Sequence, residues 1–191
     1  MNGSILNQDK TMGKESFQIG PFHINYRPSL KEVIILKRMC DYFDDEKMED
    51  VLVPFADKTA NVSLRALDWL VTNFSKSRNI VLNDTRDHIF NIYNEYRTEL
   101  SYFRRKNFDP FRRRHRISFE YREKTYTSTI GQCNFLAWAH KHGVIKYALQ
   151  NLSQIEKDMN GSIKAKSNKG RRELSSAPNR KVNVYNVHLV T

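Results

Sequence analysis

Between Tyr102 and Arg116 the chain reads Tyr-Phe-Arg-Arg-Lys-Asn-Phe-Asp-Pro-Phe-Arg-Arg-Arg-His-Arg. Cations at this density either serve as phosphate ligands or are simply solvated. As ligands they make charge-assisted hydrogen bonds, and a guanidinium can donate two in parallel. The candidate contacts here are Arg104, Arg105, Lys106, Arg112, Arg113, Arg114 and Arg116. The interleaved Phe103, Phe108 and Phe111 have two readings. Exposed, they would stack on unpaired bases. Buried, they are core anchors that tie a loop down, which is the commoner fate of a large apolar side chain.

A second constellation runs from Phe135 to Leu152. Ala139, Gly143, Val144, Leu149 and Leu152 match the spacing of a helix-turn-helix, in which a small residue and a turn glycine let two helices pack. In that reading the segment from Val144 to Asn151 opens a recognition helix. Lys146, Gln150 and Asn151, with Ile145 and Tyr147, would then approach a groove, and the hairpin at 115–128 would act as a wing. Two amphipathic helices joined at a glycine are also an ordinary packing unit. A third candidate is the basic tail, where Lys164, Lys166, Lys169, Arg171 and Arg172 lie in a run rich in Ser, Asn and Gly. It suits a phosphate-binding arm, an import signal or an arm around another protein.

Catalysis finds little support. Asp41, Asp44, Asp45, Glu46, Glu49 and Asp50 form an acidic run that a metal-dependent nuclease could use. Helix capping and a solvated face are the expected role for such a run. Cys133, His140 and His142 lack a second ligand pair at zinc spacing. No phosphate loop, dinucleotide fingerprint or nucleophile elbow is present. The expectation is a non-enzymatic protein with no catalytic residue, metal or cofactor.

Charge distribution says more than net charge. The 191 residues carry a formal +11, from 32 Lys+Arg against 21 Asp+Glu. Residues 101–122 hold eight Lys/Arg and two Asp/Glu, and residues 160–181 hold seven and one, so the rest of the chain is close to neutral. Two basic patches on a neutral body are the layout expected of a footprint on a polyanion, with solubility or a surface facing an acidic protein as the alternatives. The expected partner is nucleic acid, DNA before RNA. Hydrophobic residues at 39% are enough for a core. Cys40 and Cys133 are far apart, the first residues have no apolar leader, and no stretch reaches membrane-spanning length. An intracellular compartment follows as an expectation, host nucleus or cytoplasm or the interior of a particle, with no membrane partner.

The elements that must position these residues can be read from periodicity. Residues 1–16 are polar and expected to be flexible. Phe22, Ile24 and Tyr26 alternate as a strand. Ser29 and Glu32 form a capping box that opens a helix with Val33, Leu36, Cys40 and Phe43 along one side. A short helix is expected from about Glu46 to Phe55, near which Pro54 would cut it. Ser63 caps a helix reaching about Lys76, with Leu64, Leu67, Leu70, Val71 and Phe74 as its stripe. A brief strand follows at 79–82. Ile89, Ile92, Tyr93, Tyr96, Leu100 and Phe103 predict a helix from about Arg86 to Arg105. Pro110 and Asp109 break the chain into a turn. Ile117, Phe119 and Tyr121 alternate into a hairpin that returns at 125–128. Thr129 and Gln132 suggest a second capping box, before a helix that stops near Gly143. Another helix is expected from Val144 to about Met159, ended by Gly161. Residues 160–181 then read as a basic linker and 182–191 as a C-terminal strand. The fold class is therefore α+β: a mainly helical single domain over 17–159, with a small antiparallel sheet or hairpin and a C-terminal half like a winged helix-turn-helix.

Three stretches taken together carry a family resemblance: Ala66 to Lys76 (ALDWLVTNFSK), Arg105 to Arg114 (RKNFDPFRRR) and Thr129 to Trp138 (TIGQCNFLAW). In this order, followed by a basic linker and a valine-rich end, they resemble an uncharacterised family of large nucleocytoplasmic DNA viruses, including algal and amoebal ones. The resemblance implies a viral context and brings no activity with it. It makes viral structural proteins a second class of expected partner, with a minor virion or capsid module as the alternative to gene regulation or genome packaging.

Overall fold

Several of the helices begin where a polar side chain replaces a missing helix bond, as at Ser29, Asp44 and Ser63. In the computed structural model, which describes residues 16–83, 89–167 and 183–186, Ser29 caps α1 (Leu30–Tyr42) with both halves of the capping box present. The hairpin β1 (Phe17–Ile19) and β2 (Phe22–Ile24) precedes it, turning at Gly20 with φ +55°. A Cβ on Gly20 would lie 2.5 Å from the Cys40 sulfur, so both the backbone angle and the packing require glycine there. The buried face of α1 is Glu32, Ile35, Leu36, Met39 and Phe43, with Val33 and Cys40 only half-buried. The expected stripe is thus rotated, because the capping carboxylate itself points inward.

Helical backbone then runs through α2 (Asp45–Lys47), a wide π-turn at Met48–Leu52 and α3 (Val53–Asp57). Pro54 does not end this helix. The π-turn lies just N-terminal to it, which accommodates a residue that lacks the N–H an α-turn would use and whose ring crowds the carbonyl four residues earlier. Ser63 caps α4 (Leu64–Trp69), which continues through a second π-turn at Leu70–Phe74 into α5 (Ser75–Arg78). The strand β3 (Ile80–Asn83) pairs antiparallel with β4 (Ile89–Asn91) and parallel with β7 (Asn183–Asn186).

The next helix, α6 (Ile92–Phe103), starts later than its periodicity predicts. Asn91 Oδ1 accepts from the Asn94 N–H at 3.0 Å and so caps it. The chain before this point is extended, and Ile89 is 71% exposed rather than part of an apolar stripe. Beyond the Asn107–Phe111 turn come β5 (Arg116–Tyr121), β6 (Lys124–Thr129), α7 (Ile130–Lys141), α8 (Val144–Gln150) and α9 (Leu152–Ser167). The β5–β6 hairpin turns on Arg122 and Glu123, both at positive φ. It is not a free wing, since β5 also pairs with β2 in a four-stranded antiparallel sheet of order β1-β2-β5-β6. Phe22 faces Phe119 across that pair with ring centroids 6.1 Å apart, and both are fully buried.

The class is α+β, helical with a small antiparallel sheet. The Cα trace clusters into two compact units, Met1–Ala60 with Leu100–Trp138 and Asn61–Glu99 with Ala139–Thr191. The first contains the four-stranded sheet over a core that includes Leu36, Leu52, Phe108 and Phe135. In the second, Leu67, Leu70, Phe74, Tyr147 and Ile155 are buried. There Asp158 of α9 accepts from Trp69 Nε1 at 2.9 Å and from Arg78 at 2.8 Å, fastening α9 to the helix before β3.

Two expected boundaries move. Asn151 breaks the long helix expected from Val144. Its N–H and its Nδ2 both bond Tyr147 O, closing α8, while its own carbonyl accepts from Ile155 and starts α9. Gly161 does not end α9, which continues to Ser167. The first part of the stretch read as a basic linker is therefore helical. No described helix is long and apolar enough to cross a membrane.

Candidate nucleic-acid interface

The arginine segment is a fixed loop. Phe103 and Phe108 are buried, their rings 5.7 Å apart, and Phe108 packs edge-on against Phe135 and Trp138 of α7. These two aromatics are the anchors that burial statistics favour. Asn134 Nδ2 donates to Asn107 O at 2.9 Å. Gly131, in the first turn of α7, lets the loop approach closely: a Cβ there would lie 3.1 Å from Asp109 N and from Asp109 O. Asp109 Oδ1 accepts from the Phe111 N–H at 2.8 Å, and Asp109 O accepts from Arg112 N at 3.2 Å. At the loop's far end, Tyr26 packs edge-on against His115, which has φ +58°. The Asn107–Phe111 turn thus clamps the loop onto the start of α7.

A depression of about 190 Å³ opens beside this clamp. Arg112, Arg113 and Arg116 line it from the loop and the start of β5. Thr127, Ser128 and Thr129 line it from β6, Gln132 from α7, and Pro110 and Phe111 complete it. No Asp or Glu contributes. Ser128 Oγ accepts from the Cys133 thiol at 3.3 Å, and Thr129 Oγ1 accepts from Gln132 N at 3.1 Å. Each hydroxyl still has its own O–H to donate. Arg112 Nε is buried with no hydrogen-bond partner among the described residues, a donor that a water or an anion oxygen would satisfy. The depression lies at the N-terminal end of α7, where the helix dipole adds positive potential. Guanidinium groups, hydroxyl donors and a helix N-terminus, without a carboxylate, are a donor set chemically suited to an oxyanion.

The other sequence candidates divide. Arg104 and Arg105 are exposed, with Arg104 at φ +64°. Arg114 is exposed but does not line the depression. Lys106 serves the fold: its Nζ lies 3.0 Å from Oε1 of Glu32, whose side chain is 2% exposed. Burial opposes the charged form of Glu32. The Ser29 hydroxyl and N–H and the Lys106 ammonium outweigh it, and hold the carboxyl below its usual range.

The recognition-helix expectation meets a physical obstacle. The α8 helix has only seven residues, and Ile145 and Tyr147 are buried. Leu149, expected to pack inward, is 45% exposed. Asn151 spends its amide on Tyr147 O. Lys146 is half-buried and Gln150 is exposed on this short helix. Lys164 and Lys166 are helical positions of α9, while Lys169, Arg171 and Arg172 lie outside the described residues.

The acidic run behaves as capping and surface. Asp44 caps α2, and Glu49 takes a two-pronged ion pair from Arg122 at 2.9 and 2.7 Å. Among the described residues no group of His, Cys, Asp and Glu is arranged to hold a metal ion. The residues that sequence reasoning missed are Thr127, Ser128, Thr129 and Gln132, which line the depression beside the arginines. The Thr-Ser-Thr ending a strand, just before a capping signal, was the available clue.

Fold and geometry define an α+β protein with an arginine- and hydroxyl-lined depression beside a clamped loop. The chain matches the family of unknown function DUF7197 over residues 21–188, and it belongs to that family. It is 31% identical over 161 residues to the uncharacterized protein L507 of Acanthamoeba polyphaga mimivirus, covering 77% of this chain and 62% of that relative. The chain thus spans less than two thirds of the relative's length. This is an uncharacterised giant-virus family, as the resemblance implied. No solved structure matches the chain.

Proposed function

We propose that this is a non-enzymatic nucleic-acid-binding protein of a large DNA virus, acting in gene regulation or genome packaging, in the infected cell's nucleus or cytoplasm or within the particle. Relatives in algal viruses are part of the same reading. One observation carries it: Arg112, Arg113 and Arg116 converge with three hydroxyl residues on a single depression that no carboxylate enters. Phosphate is the anion that such a donor set matches, and nucleic acid is the polymer that presents it repeatedly. The basic tail at 160–181 supplies further positive charge.

The test is fluorescence anisotropy on nuclease-treated protein against duplex DNA, single-stranded DNA and RNA over several salt concentrations. The variants Arg112→Gln, Arg113→Gln, Arg114→Gln and Arg116→Gln run in parallel. Affinity falls steeply with salt, because bound phosphates release counterions. Removing Arg112, Arg113 or Arg116 lowers affinity and flattens the salt slope by about one each. Arg114→Gln has a smaller effect. Absence of binding at moderate salt removes the proposal and makes the charge a protein-facing feature of a virion component.

A further inference from the structure

We propose that the depression receives one unpaired nucleotide, phosphate inward and base on Phe111, so that the protein takes single-stranded nucleic acid in preference to duplex. This rests on the nucleic-acid reading above and specifies its substrate.

Size comes first. The depression holds about 190 Å³, less than the roughly 300 Å³ at which pockets for whole small molecules begin. A phosphate group fills such a space. The sugar and base of the same nucleotide then lie at its open rim.

Phe111 is the rim residue suited to a base. Of the three phenylalanines in the arginine segment, Phe103 and Phe108 are buried, whereas Phe111 is 47% exposed and lines the same depression as the guanidiniums. An isolated exposed phenylalanine would mean little. This one is held in place, because its N–H is bonded to Asp109 Oδ1 and its neighbour Pro110 is buried. A base stacks on an aromatic ring through its π-face, which a duplex hides between neighbouring pairs and a single strand exposes.

Arg112 supplies the second independent feature. Its buried Nε has no hydrogen-bond partner among the described residues, and a phosphate oxygen would satisfy it. The alternative duplex reader, α8, is short and turns Ile145 and Tyr147 inward.

The experiment compares a 12-nucleotide oligo-dT with a 12-base-pair duplex in anisotropy titrations at matched salt. Wild type, Phe111→Leu, Phe111→Trp and Arg112→Gln are measured, each with a thermal melt to check folding. The expected result is tighter binding of the single strand by wild type. Phe111→Leu loses about tenfold on the single strand, the scale of one base–aromatic stack, and keeps its salt slope and its duplex affinity. Phe111→Trp retains the preference. Arg112→Gln weakens both substrates and lowers the salt slope by about one. Equal or tighter duplex binding, or a Phe111→Leu effect that is nil or the same on both substrates, overturns the single-strand proposal while nucleic-acid binding stands. No salt-sensitive binding to either oligomer overturns both.

Discussion

Replacing Lys106 by Met removes an ammonium from beside Glu32 and keeps most of the aliphatic stem. Glu32 Oε2 retains the Ser29 N–H at 2.8 Å and the Ser29 hydroxyl at 2.7 Å, so one oxygen stays satisfied. Oε1 loses its cation from 3.0 Å, on a side chain that is 2% exposed. Breaking a fully buried ion pair costs about 3–5 kcal/mol. Lys106 is 44% exposed, so solvent screening reduces this to about 2 kcal/mol. For a chain of this size that lowers Tm by about 4–8 °C. The pH dependence gives the sharper test. The Glu32 carboxyl is held below its usual range in the folded protein, so the unfolded chain binds more protons through that window, and wild-type stability rises with pH. The stabilisation is fully present above the unfolded carboxylate pKa of about 4.3. It is lost as pH falls through the folded value. The melting difference between wild type and Lys106→Met is therefore full at neutral pH and closes on acidification. In a Glu32→Gln background, Lys106→Met costs little at any pH. Thermal melts over pH 3–7 measure all of this. A gap that is equally large at the acid end would mean that the Lys106 ammonium does not act through the ionised Glu32 carboxylate, and the electrostatic reasoning would be wrong.

Further expectations follow from the same contacts. Gly131→Val drives side-chain atoms into the backbone at Asp109, costs about 1–3 kcal/mol, and loosens the loop. Trypsin should then cut after Arg112 to Arg114 faster than in wild type, and unchanged cleavage would argue against the clamp. Glu123→Gly relieves a residue at φ +63° in the β5–β6 turn. It should stabilise by about 1 kcal/mol and raise Tm by a few degrees, whereas Arg122→Gly also forfeits the Glu49 ion pair and should not. Burial pushes the Cys133 thiol up to about 12 and the Cys40 thiol up to about 11. Neither forms appreciable thiolate at pH 8, so a thiol-specific reagent should modify both only on unfolding; rapid modification of native protein would contradict that packing.

Legibility differed between elements for physical reasons. The helices α1 and α4 start where Ser29 and Ser63 place them, because a cap is a bond between residues three apart. The β5–β6 hairpin was readable from alternation at Ile117, Phe119 and Tyr121. The start of α6 was not: the period that puts Ile89 on a helical stripe ignores the cap at Asn91 and the pairing of Val81 with Asn91. The break at Asn151 was missed because the same residue closes one helix and opens the next, leaving the apolar periodicity almost intact.

The basic segment as a site candidate was fixed by composition alone, since eight cations in 22 residues must face something anionic or water. Tertiary structure decided which of them lie together. It assigns Lys106 to Glu32, exposes Phe111, and places Arg112, Arg113 and Arg116 around one depression with hydroxyls of β6 and an amide of α7. Spacing along the chain records none of this. The hydroxyls and the arginines meet through strand register and a loop folded against a glycine, and those contacts are set by packing between segments rather than by any local pattern.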